Sequence, residues 1–233
     1  PSSLMKRLVV LTGAGVSAES GIPTFRDAGG LWAGHDVMEV ASPQGWFNNP
    51  ELVLNFYNER RKNALSARPN RAHSLLSDLE NDYEVNIITQ NVDNLHEKAG
   101  SSNVLHLHGE LFKSRSTANE RLVYEINGTE LNLGDTCELG SQLRPHIVWF
   151  GEQVPLLDEA IRLTEQADLF LVIGTSMQVY PAASLIGFVD LDVPKFLIDP
   201  NIPDLSFMPN LTTIEAPATT GMATFIETLK SAD

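Results

Sequence analysis

Short runs of apolar residues recur along the chain and alternate with longer polar stretches. Runs of this length are typical of strands in a buried sheet. They predict strands at residues 6–11, 84–89, 104–108, 168–173, 193–198 and 211–214. Two βα units in the second half, and a last helix from about Thr220, favour an α/β protein with a parallel sheet.

The segment 36–79 has no such runs and is predicted to be helical. Its clearest helix has Asn49 as N-cap and Pro50 in the first turn, and it ends near Ala67. One stripe of this helix carries Val53, Phe56, Tyr57, Arg60 and Ala64. Tyr57 and Arg60 are three residues apart and so share a face. In the simplest interpretation Tyr57 packs and Arg60 extends to solvent.

Residues 111–145 differ in pattern and predict a small β module inserted into the main domain. Residues 123–126 and 129–133 flank Asn127-Gly128, which is a strong hairpin signal. We find no repeat or low-complexity linker, so a single domain is expected. Its core would comprise residues 1–30, 84–110 and 146–233, and its smaller module residues 31–83 and 111–145.

The first strand runs into a glycine-rich turn, Gly13-Ala14-Gly15, and Ala18 follows on the next helix. Glycine lets the backbone turn sharply and lets an anion approach the peptide N–H groups. The pattern therefore predicts a pyrophosphate site, although such turns are common in α/β proteins. An arginine close behind, Arg26, can neutralise a diphosphate.

Small or polar residues follow five predicted strands: Gly13, Gln90, His108, Gly174 and Asn201. Because parallel strands end at the same edge of a sheet, we expect all five at one crevice. The amides and carboxylate of the stretch QNVDN, residues 90–94, suit ligand binding there, whereas Asp93 alone also fits a helix cap. The imidazole of His108 suits proton transfer near neutral pH, and a purely structural histidine is the alternative.

The chain has 233 residues, 30 acidic against 16 basic side chains, a net charge of −14 and one cysteine, Cys137. The charge argues against binding to nucleic acid or anionic membranes and favours basic peptides. One thiol excludes an internal disulfide and a multi-thiolate metal site. No apolar run could span a bilayer and no signal peptide is evident, so we expect a cytoplasmic monomer.

Five stretches together resemble the sirtuins, a family of NAD-dependent protein-lysine deacylases. They are GAGVSAESGIPTFR, TQNVDNLH, LHGE, VWFGE and GTSMQVYPAA, and they span most of the chain from Leu11 to Ala183. The resemblance implies a Rossmann-like domain with a smaller module. It also implies NAD across the strand ends, acylated lysine in a protein or peptide as substrate, and nicotinamide, O-acyl-ADP-ribose and free lysine as products.

The resemblance also assigns roles to individual positions. His108 would be the catalytic base, with Asn91 and Asp93 also in the catalytic set. Residues implied to contact NAD are Gly13, Ala14, Gly15, Ser17, Glu19, Thr24, Phe25, Arg26, Trp32, Gln90, Asn91, Val92, Asp93, Gly174, Thr175, Ser176, Asn201 and Ala218. The peptide would add as a strand beside Val148, Phe150 and Gly151, in a β-augmentation.

Two departures from the common sirtuin pattern matter. Most members hold zinc with four cysteines in the small module, where this chain has only Cys137, so we predict no structural zinc. Ala41 together with Tyr57 and Arg60 resembles members that remove succinyl, malonyl or glutaryl groups. A buried acyl carboxylate needs a partner, and an arginine and a phenol on one helical face provide charge-assisted hydrogen bonds.

Three other functions are compatible with parts of the pattern. An NAD-dependent protein ADP-ribosyltransferase would use the same cofactor site but would not need Tyr57 and Arg60. A non-catalytic NAD-sensing module would keep the glycine turn but would not need His108. A hydride-transferring dehydrogenase would form NADH.

Overall fold

The apolar runs of the sequence form the strands of a computed structural model that describes residues 4–23, 31–175, 177, 182–205 and 207–232. The strands are β1 (Arg7–Thr12), β2 (Leu31–Trp32), β3 (His35–Asp36), β4 (Glu84–Thr89), β5 (Val104–His106), β6 (Gly109–Ser116), β7 (Val123–Glu125), β8 (Leu143–Ile147), β9 (Leu169–Ile173), β10 (Lys195–Asp199) and β11 (Leu211–Glu215). The helices are α1 (Ala14–Ala18), α2 (Val37–Val40), α3 (Pro43–Asn48), α4 (Pro50–Ser66), α5 (Arg71–Asp78), α6 (Leu95–Lys98), α7 (Leu157–Glu165), α8 (Ala182–Leu185) and α9 (Ala218–Ser231), with 3₁₀ turns at Leu79–Asn81 and Ile186–Phe188.

Six strands form one parallel sheet in the order β11-β10-β9-β1-β4-β5. This is the strand order of the Rossmann fold, in which the direction of winding reverses at the central strand. Thr12 at the end of β1 lies beside Thr89 of β4 and Ile173 of β9, so the carboxyl ends are level. The predicted α/β class with a Rossmann-like parallel sheet is therefore confirmed.

Alternate residues of the strands face two hydrophobic layers. Val10 and Leu171 face α5 and α9, whereas Val9 and Phe170 face α7, α8 and the turn that follows α8. Helix α5 lies within the segment 31–83 that the sequence assigned to the smaller module, yet it packs on the large sheet. Across the described residues, no helix has the length and hydrophobicity of a membrane span.

Helix α4 begins where its capping residues predict. The side chain of Asn49 accepts a hydrogen bond from the Leu52 amide at 3.1 Å, and Pro50 occupies the first turn. The predicted stripe is buried at Val53, Phe56, Tyr57 and Ala64, and it packs in a third core with Trp149 and Ile147. Arg61, which lies outside that stripe, is also fully buried.

The smaller sheet corrects the predicted hairpin. Strand β7 pairs antiparallel with β6, with Lys113 opposite Glu125, and β8 pairs with the other edge of β6. Residues 129–133 form no strand. Their backbone polar groups bond to α4 instead: Leu131 N–H donates to the Asn58 amide oxygen at 2.9 Å, and Thr129 O accepts from Arg61 Nε at 2.9 Å.

Arg61 and Asn58 fasten this loop and β6 to α4. The guanidinium of Arg61 also donates to Leu111 O at 2.9 Å and to the Asn58 side chain, while Asn58 Nδ2 donates to Glu130 at 2.8 Å. Burial lowers the pKa of Arg61 to about 10, with the nearby Glu130 opposing the shift, so the group stays charged at pH 7. A buried cation with three hydrogen-bonded partners thus contributes to holding the module in place.

A second contact holds the end of β8. Glu152 accepts two hydrogen bonds from Arg144, at 2.9 and 3.0 Å, and a third from the Trp149 amide at 2.8 Å. The Arg144 guanidinium lies 3.6 Å from the centre of the Trp149 ring, as in a cation–π contact.

Cys137 is buried, and its sulfur accepts from the Leu139 amide at 3.3 Å.

A buried polar layer lies beneath the carboxyl ends of β1 and β4. Thr12 donates its hydroxyl to Thr89 at 2.7 Å and contacts His96 Nε2 at 2.9 Å. The ring of His96 lies 5.1 Å from that of His73, and both are fully buried. Burial lowers the pKa of His96 to about 3 and that of His73 to about 4, so both imidazoles are neutral in the folded protein at pH 7.

Replacement of Arg61 by methionine should unfold the protein more easily. The change leaves the carbonyls of Thr129 and Leu111 buried without their donor, and we expect a loss of about 3 kcal/mol in the free energy of unfolding. Urea denaturation at pH 7 measures it. The neighbouring exposed residue provides a control, since Lys62→Met should change stability by at most about 0.5 kcal/mol. Equal effects of the two substitutions would contradict this role for Arg61.

Acid should destabilise the fold through His96 and His73. Their folded pKa values lie below the unfolded value of about 6.5, so the unfolded chain binds more protons and stability falls as the pH decreases below about 6.5. For His96 alone, the loss between pH 7 and pH 5 is about 2 kcal/mol. Urea denaturation across this range should therefore show a smaller pH dependence in His96→Gln than in the unsubstituted protein. Parallel curves would disprove the assignment.

Candidate active site

A cavity of about 840 Å³ lies at the carboxyl edge of the large sheet, where the strand order reverses between β1 and β9. Crevices at this point of an open α/β sheet are the usual ligand sites of such folds. Side chains from both sheets and from α4 line it. They include Ala14, Ser17, Trp32, Ala41, Arg60, Asn63, Gln90, Asn91, Val92, Asp93, His108, Val148, Trp149, Phe150, Gly151, Glu152, Gly174, Thr175 and Asn201.

The strand ends that the sequence singled out meet at this cavity, with one difference. Gln90, His108, Gly174 and Asn201 line it, but Gly13 does not, and its neighbour Ala14 takes that place. Thr24, Phe25, Arg26 and Ser176 lie outside the described residues.

The glycine turn serves a close contact between two backbones. Gly13 N–H donates to Ile173 O at 3.1 Å and Gly15 N–H to Gly174 O at 2.8 Å. A Cβ atom at Gly13 would lie 2.7 Å from Gly174 O, and one at Gly15 would lie 2.8 Å from Gly174 Cα. These two amides therefore bond within the protein, and the pyrophosphate site expected at this turn stays a prediction. Glycine is needed here because the chain after β9 packs directly against the turn.

Residues 90–95 are clamped to this turn. Asn91 donates its side-chain N–H to Gly13 O at 2.9 Å, and its backbone N–H to Thr89 Oγ at 3.0 Å. Asp93 accepts from Ser17 Oγ at 2.9 Å and from the Leu95 amide at 3.0 Å. Burial raises the pKa of the Asp93 carboxyl, although both hydrogen bonds oppose the shift. Asp93 is not the N-cap of α6, which is Asn94, but it bonds the first amide of that helix and also lines the cavity.

Two buried groups at the cavity lack a partner among the described residues. They are the amide nitrogen of Gln90 and the Nε and Nη1 atoms of Arg60. Because unsatisfied buried donors are costly in native proteins, such groups indicate where a polar ligand binds. Gln90 comes from β4 and Arg60 from α4, so the two groups belong to the two parts of the molecule.

His108 lies in the turn between β5 and β6. Its backbone oxygen accepts from Val148 N–H at 2.8 Å, which ties it to the end of β8. Burial lowers the pKa of the imidazole, and a hydrogen bond to the Gln90 backbone opposes the shift. The ring is therefore neutral at pH 7, with one nitrogen bonded to a carbonyl and the other able to accept a proton.

The structure separates Tyr57 from Arg60. Tyr57 is fully buried, accepts from Trp149 Nε1 at 3.0 Å and does not line the cavity, and burial raises its pKa. Arg60 lines the cavity and lies 4.8 Å from the centre of the Phe56 ring. Burial also lowers the pKa of Arg60, with Glu59 opposing. A cation thus faces the cavity, and the phenol lies behind it against Trp149.

Val148, Phe150 and Gly151 line the cavity beyond the end of β8. The N–H of Val148 already donates to His108 O, and that of Phe150 donates to Ala41 O at 2.9 Å. These residues therefore bridge the two parts of the molecule. An added peptide strand cannot use these two donors, and the β-augmentation expected beside these residues stays a prediction.

Three residues that the resemblance implies contact NAD also make contacts within the protein. Glu19 caps α9, since its carboxylate accepts from the Thr219 amide at 3.1 Å and hydroxyl at 2.7 Å. Ala218 is buried in the core and does not line the cavity. Trp32 lines the cavity and packs edge-on against Phe56 at 4.9 Å.

The sequence reasoning missed Asn63, Trp149 and Glu152 as lining residues. Asn63 lies three residues after Arg60, so helical spacing would have placed it on the same face. Trp149 and Glu152 lie within the stretch VWFGE, but nothing in their spacing distinguishes a lining residue from a packed one.

Three side chains lie close enough together to be considered as a metal-binding set. Glu97, His106 and Glu110 offer ligand atoms within 4.8 Å of one another. His106 Nε2 lies 2.8 Å from Glu97, and Lys113 lies 3.0 Å from Glu110. Each contact pairs a carboxylate with a nitrogen donor of the protein itself, so these residues are not assigned as metal ligands.

The sequence model described as the Sir2 family matches residues 13–181. The NAD-dependent protein deacylase of Helicobacter pylori strain 26695 is 57% identical over 218 residues, which is 94% of this chain and 95% of that protein. The NAD-dependent protein deacylase of strain J99 is 61% identical over 196 residues, 84% of this chain and 83% of the relative.

Solved structures agree with this similarity over nearly the whole chain. The complex of a Sir2 homologue with NAD has a TM-score of 0.86 at 41% identity and covers 98% of this chain and 91% of its own. A Sir2 variant with a deacetylated p53 peptide and 3'-O-acetyl ADP-ribose has a TM-score of 0.80 at 31% identity, with coverage of 96% and 94%.

Proposed function

The chain belongs to the Sir2 family, and we propose that it is an NAD-dependent protein-lysine deacylase. The observation that carries the proposal is the position of His108. A neutral, partly buried imidazole faces the same cavity as the polar residues 90–93 and the ends of β1 and β9. A base beside a nucleotide-sized crevice is the arrangement that this reaction requires.

The cavity residues fit NAD. Ala14, Gly174, Thr175 and Asn201 would hold the half of the cofactor at the strand reversal. The amide nitrogen of Gln90, which has no partner among the described residues, would donate to the other half. NAD would supply a glycosidic bond whose cleavage releases nicotinamide, and the remaining ADP-ribose would accept the acyl group. The relatives named above carry the same activity in their names.

The chain's own residues would orient the reactants and move one proton. His108 would accept a proton from a ribose hydroxyl at its free ring nitrogen, while the Gln90 backbone holds the other ring nitrogen. Asn91 and Asp93 would keep the residues 90–93 rigid through their bonds to Gly13 and Ser17. Trp149 and Val148, which line the cavity, would exclude water around the acylated lysine.

We further propose that the enzyme accepts acyl groups ending in a carboxylate, such as succinyl and malonyl, and acetyl as well. Support comes from Arg60, whose guanidinium lines the cavity with two nitrogens unpaired within the described part of the chain. An anionic acyl group would supply the acceptor that the described residues do not provide. The Tyr57 hydroxyl does not reach the cavity surface. Tyr57 would therefore act on the acyl group through its hydrogen bond with Trp149, or would contact that group after a small side-chain movement.

Mass spectrometry of acetyl- and succinyl-lysine peptides incubated with NAD tests the activity. We expect free lysine peptide, nicotinamide and O-acyl-ADP-ribose, and a loss of about 10²- to 10⁴-fold in His108→Asn because the base is removed. Thermal unfolding of the variant controls for folding. A peptide heavier by one ADP-ribose would indicate an ADP-ribosyltransferase, and formation of NADH a dehydrogenase. Either result would contradict the proposal.

Replacement of Arg60 by methionine tests the acyl preference. Removing a partly buried ion pair should lower kcat/KM for the succinyl peptide by about 10²-fold, on the basis of ~3 kcal/mol for the pair. Activity on the acetyl peptide should be largely retained, because that group has no charge to bind. Lys62→Met, two residues away on the same helix and exposed, should affect neither substrate. Equal losses on both peptides in Arg60→Met would refute the assignment.

A further inference from the structure

His106 makes two short contacts that the proposed reaction does not use. It is the last residue of β5, and its side chain is 5% exposed. Its Nδ1 atom lies 2.8 Å from the backbone oxygen of Asn91, and its Nε2 atom lies 2.8 Å from a carboxylate oxygen of Glu97. Glu97 is on α6 and is partly exposed.

Both partners of the ring can only accept a hydrogen bond when Glu97 is ionised, so each ring nitrogen must carry a hydrogen. The imidazole is then positively charged. Burial opposes that charge, but the hydrogen bond and charge of Glu97, with the Asn91 carbonyl, outweigh it and raise the pKa of His106. This shift is opposite to those of His96 and His73.

The carbonyl that His106 holds belongs to a cavity-lining residue. Asn91 is fixed at its backbone N–H by Thr89 and at its side chain by Gly13 O. The bond from His106 fixes the remaining end of the residue and so sets the plane of the next peptide. That peptide leads to Val92, which also lines the cavity and whose oxygen accepts from the Leu111 amide at 2.9 Å.

We propose that the ion pair of Glu97 and His106 fixes the Asn91 main chain, which makes His106 a positioning residue for the deacylation proposed above. It touches neither NAD nor peptide and acts through Asn91. The inference rests on the proposed function for its kinetic consequence, but the ion pair can be measured without it.

The pH dependence follows from the charge. Below the raised pKa both hydrogen bonds are present, and above it the ring loses one hydrogen and one of the two bonds. Activity should therefore fall on the alkaline side. The other charged or titratable groups near His106 are Glu110 of β6 at 4.0 Å, Asp93 in the preceding loop and the neutral His96 of α6. Lys113 pairs with Glu110.

The test compares Glu97→Gln with Glu125→Gln. Both remove one negative charge from the same small pocket, but within the described part of the chain the Glu125 carboxylate forms an ion pair only with Lys113, at 3.9 Å. With NAD and a succinyl-lysine peptide, Glu97→Gln should lower kcat at pH 8 about tenfold with little change in KM, because it weakens one charge-assisted hydrogen bond. At pH 6.5 the loss should be smaller, because in Glu97→Gln the decrease of kcat on the alkaline side begins at a lower pH and therefore affects pH 8 most. Glu125→Gln should keep the original profile.

Nitrogen NMR of the His106 ring provides a readout independent of catalysis, with His106→Leu identifying the signal. We expect two protonated ring nitrogens at pH 7 in the unsubstituted protein and a lower titration midpoint in Glu97→Gln. A neutral ring at pH 7, or a kcat loss that is equal at every pH, would overturn the inference. Failure of the unsubstituted protein to release nicotinamide would instead refute the proposed function, and the titration would still decide whether the ion pair exists.

Discussion

The contact between the glycine turn after β1 and the backbone of Gly174 after β9 is the constraint on which the site depends. The two strands are neighbours where the winding of the sheet reverses, and their exits approach to within hydrogen-bond distance through Gly13 and Gly15. Any side chain there would push the exits apart. Because the exits are held together, the cavity opens beside them rather than between them, and Ala14 and Thr175 rather than Gly13 form its wall.

From this contact the polar order of the site extends outward. Asn91 is hydrogen-bonded to Gly13, Asp93 to Ser17, and Thr89 to Thr12. These bonds fix the residues after β4 relative to the turn after β1. The groups with satisfied hydrogen bonds are those that hold the framework. Two groups without partners among the described residues, the Gln90 amide nitrogen and part of the Arg60 guanidinium, face the cavity, whereas others such as His96 Nδ1 and His73 Nε2 lie outside it. Framework and binding functions are thus divided among neighbouring residues.

Local signals in the sequence were sufficient for the large sheet and for α4. The strands were marked by continuous apolar runs, and α4 by its Asn-Pro cap, which are properties of short segments. Strand β6 was not predicted, because a glycine directly after a predicted strand suggests a flexible turn. In the structure Gly109, with a φ of 94°, is the first residue of β6. The Asn127-Gly128 signal predicted the wrong pairing partner for residues 123–126. Residues 129–131 are bound instead by the polar atoms of Asn58 and Arg61, some seventy residues away in sequence. Long-range hydrogen bonds of that kind leave no local pattern.

Adjacent residues of α4 also show why the acyl side of the site was only partly predictable. Arg60 and Arg61 differ by about 100° around the helix, so one lines the cavity while the other is buried against β6 and residues 129–131. Periodicity placed Arg60 with Tyr57, yet the phenol is bonded to Trp149 behind the cavity wall. The same helix therefore carries the cation proposed to select the acyl group and the cation that anchors the smaller module. Movement of that module relative to the large sheet would shift Arg60 with it, which couples the stability of the module to the proposed selectivity.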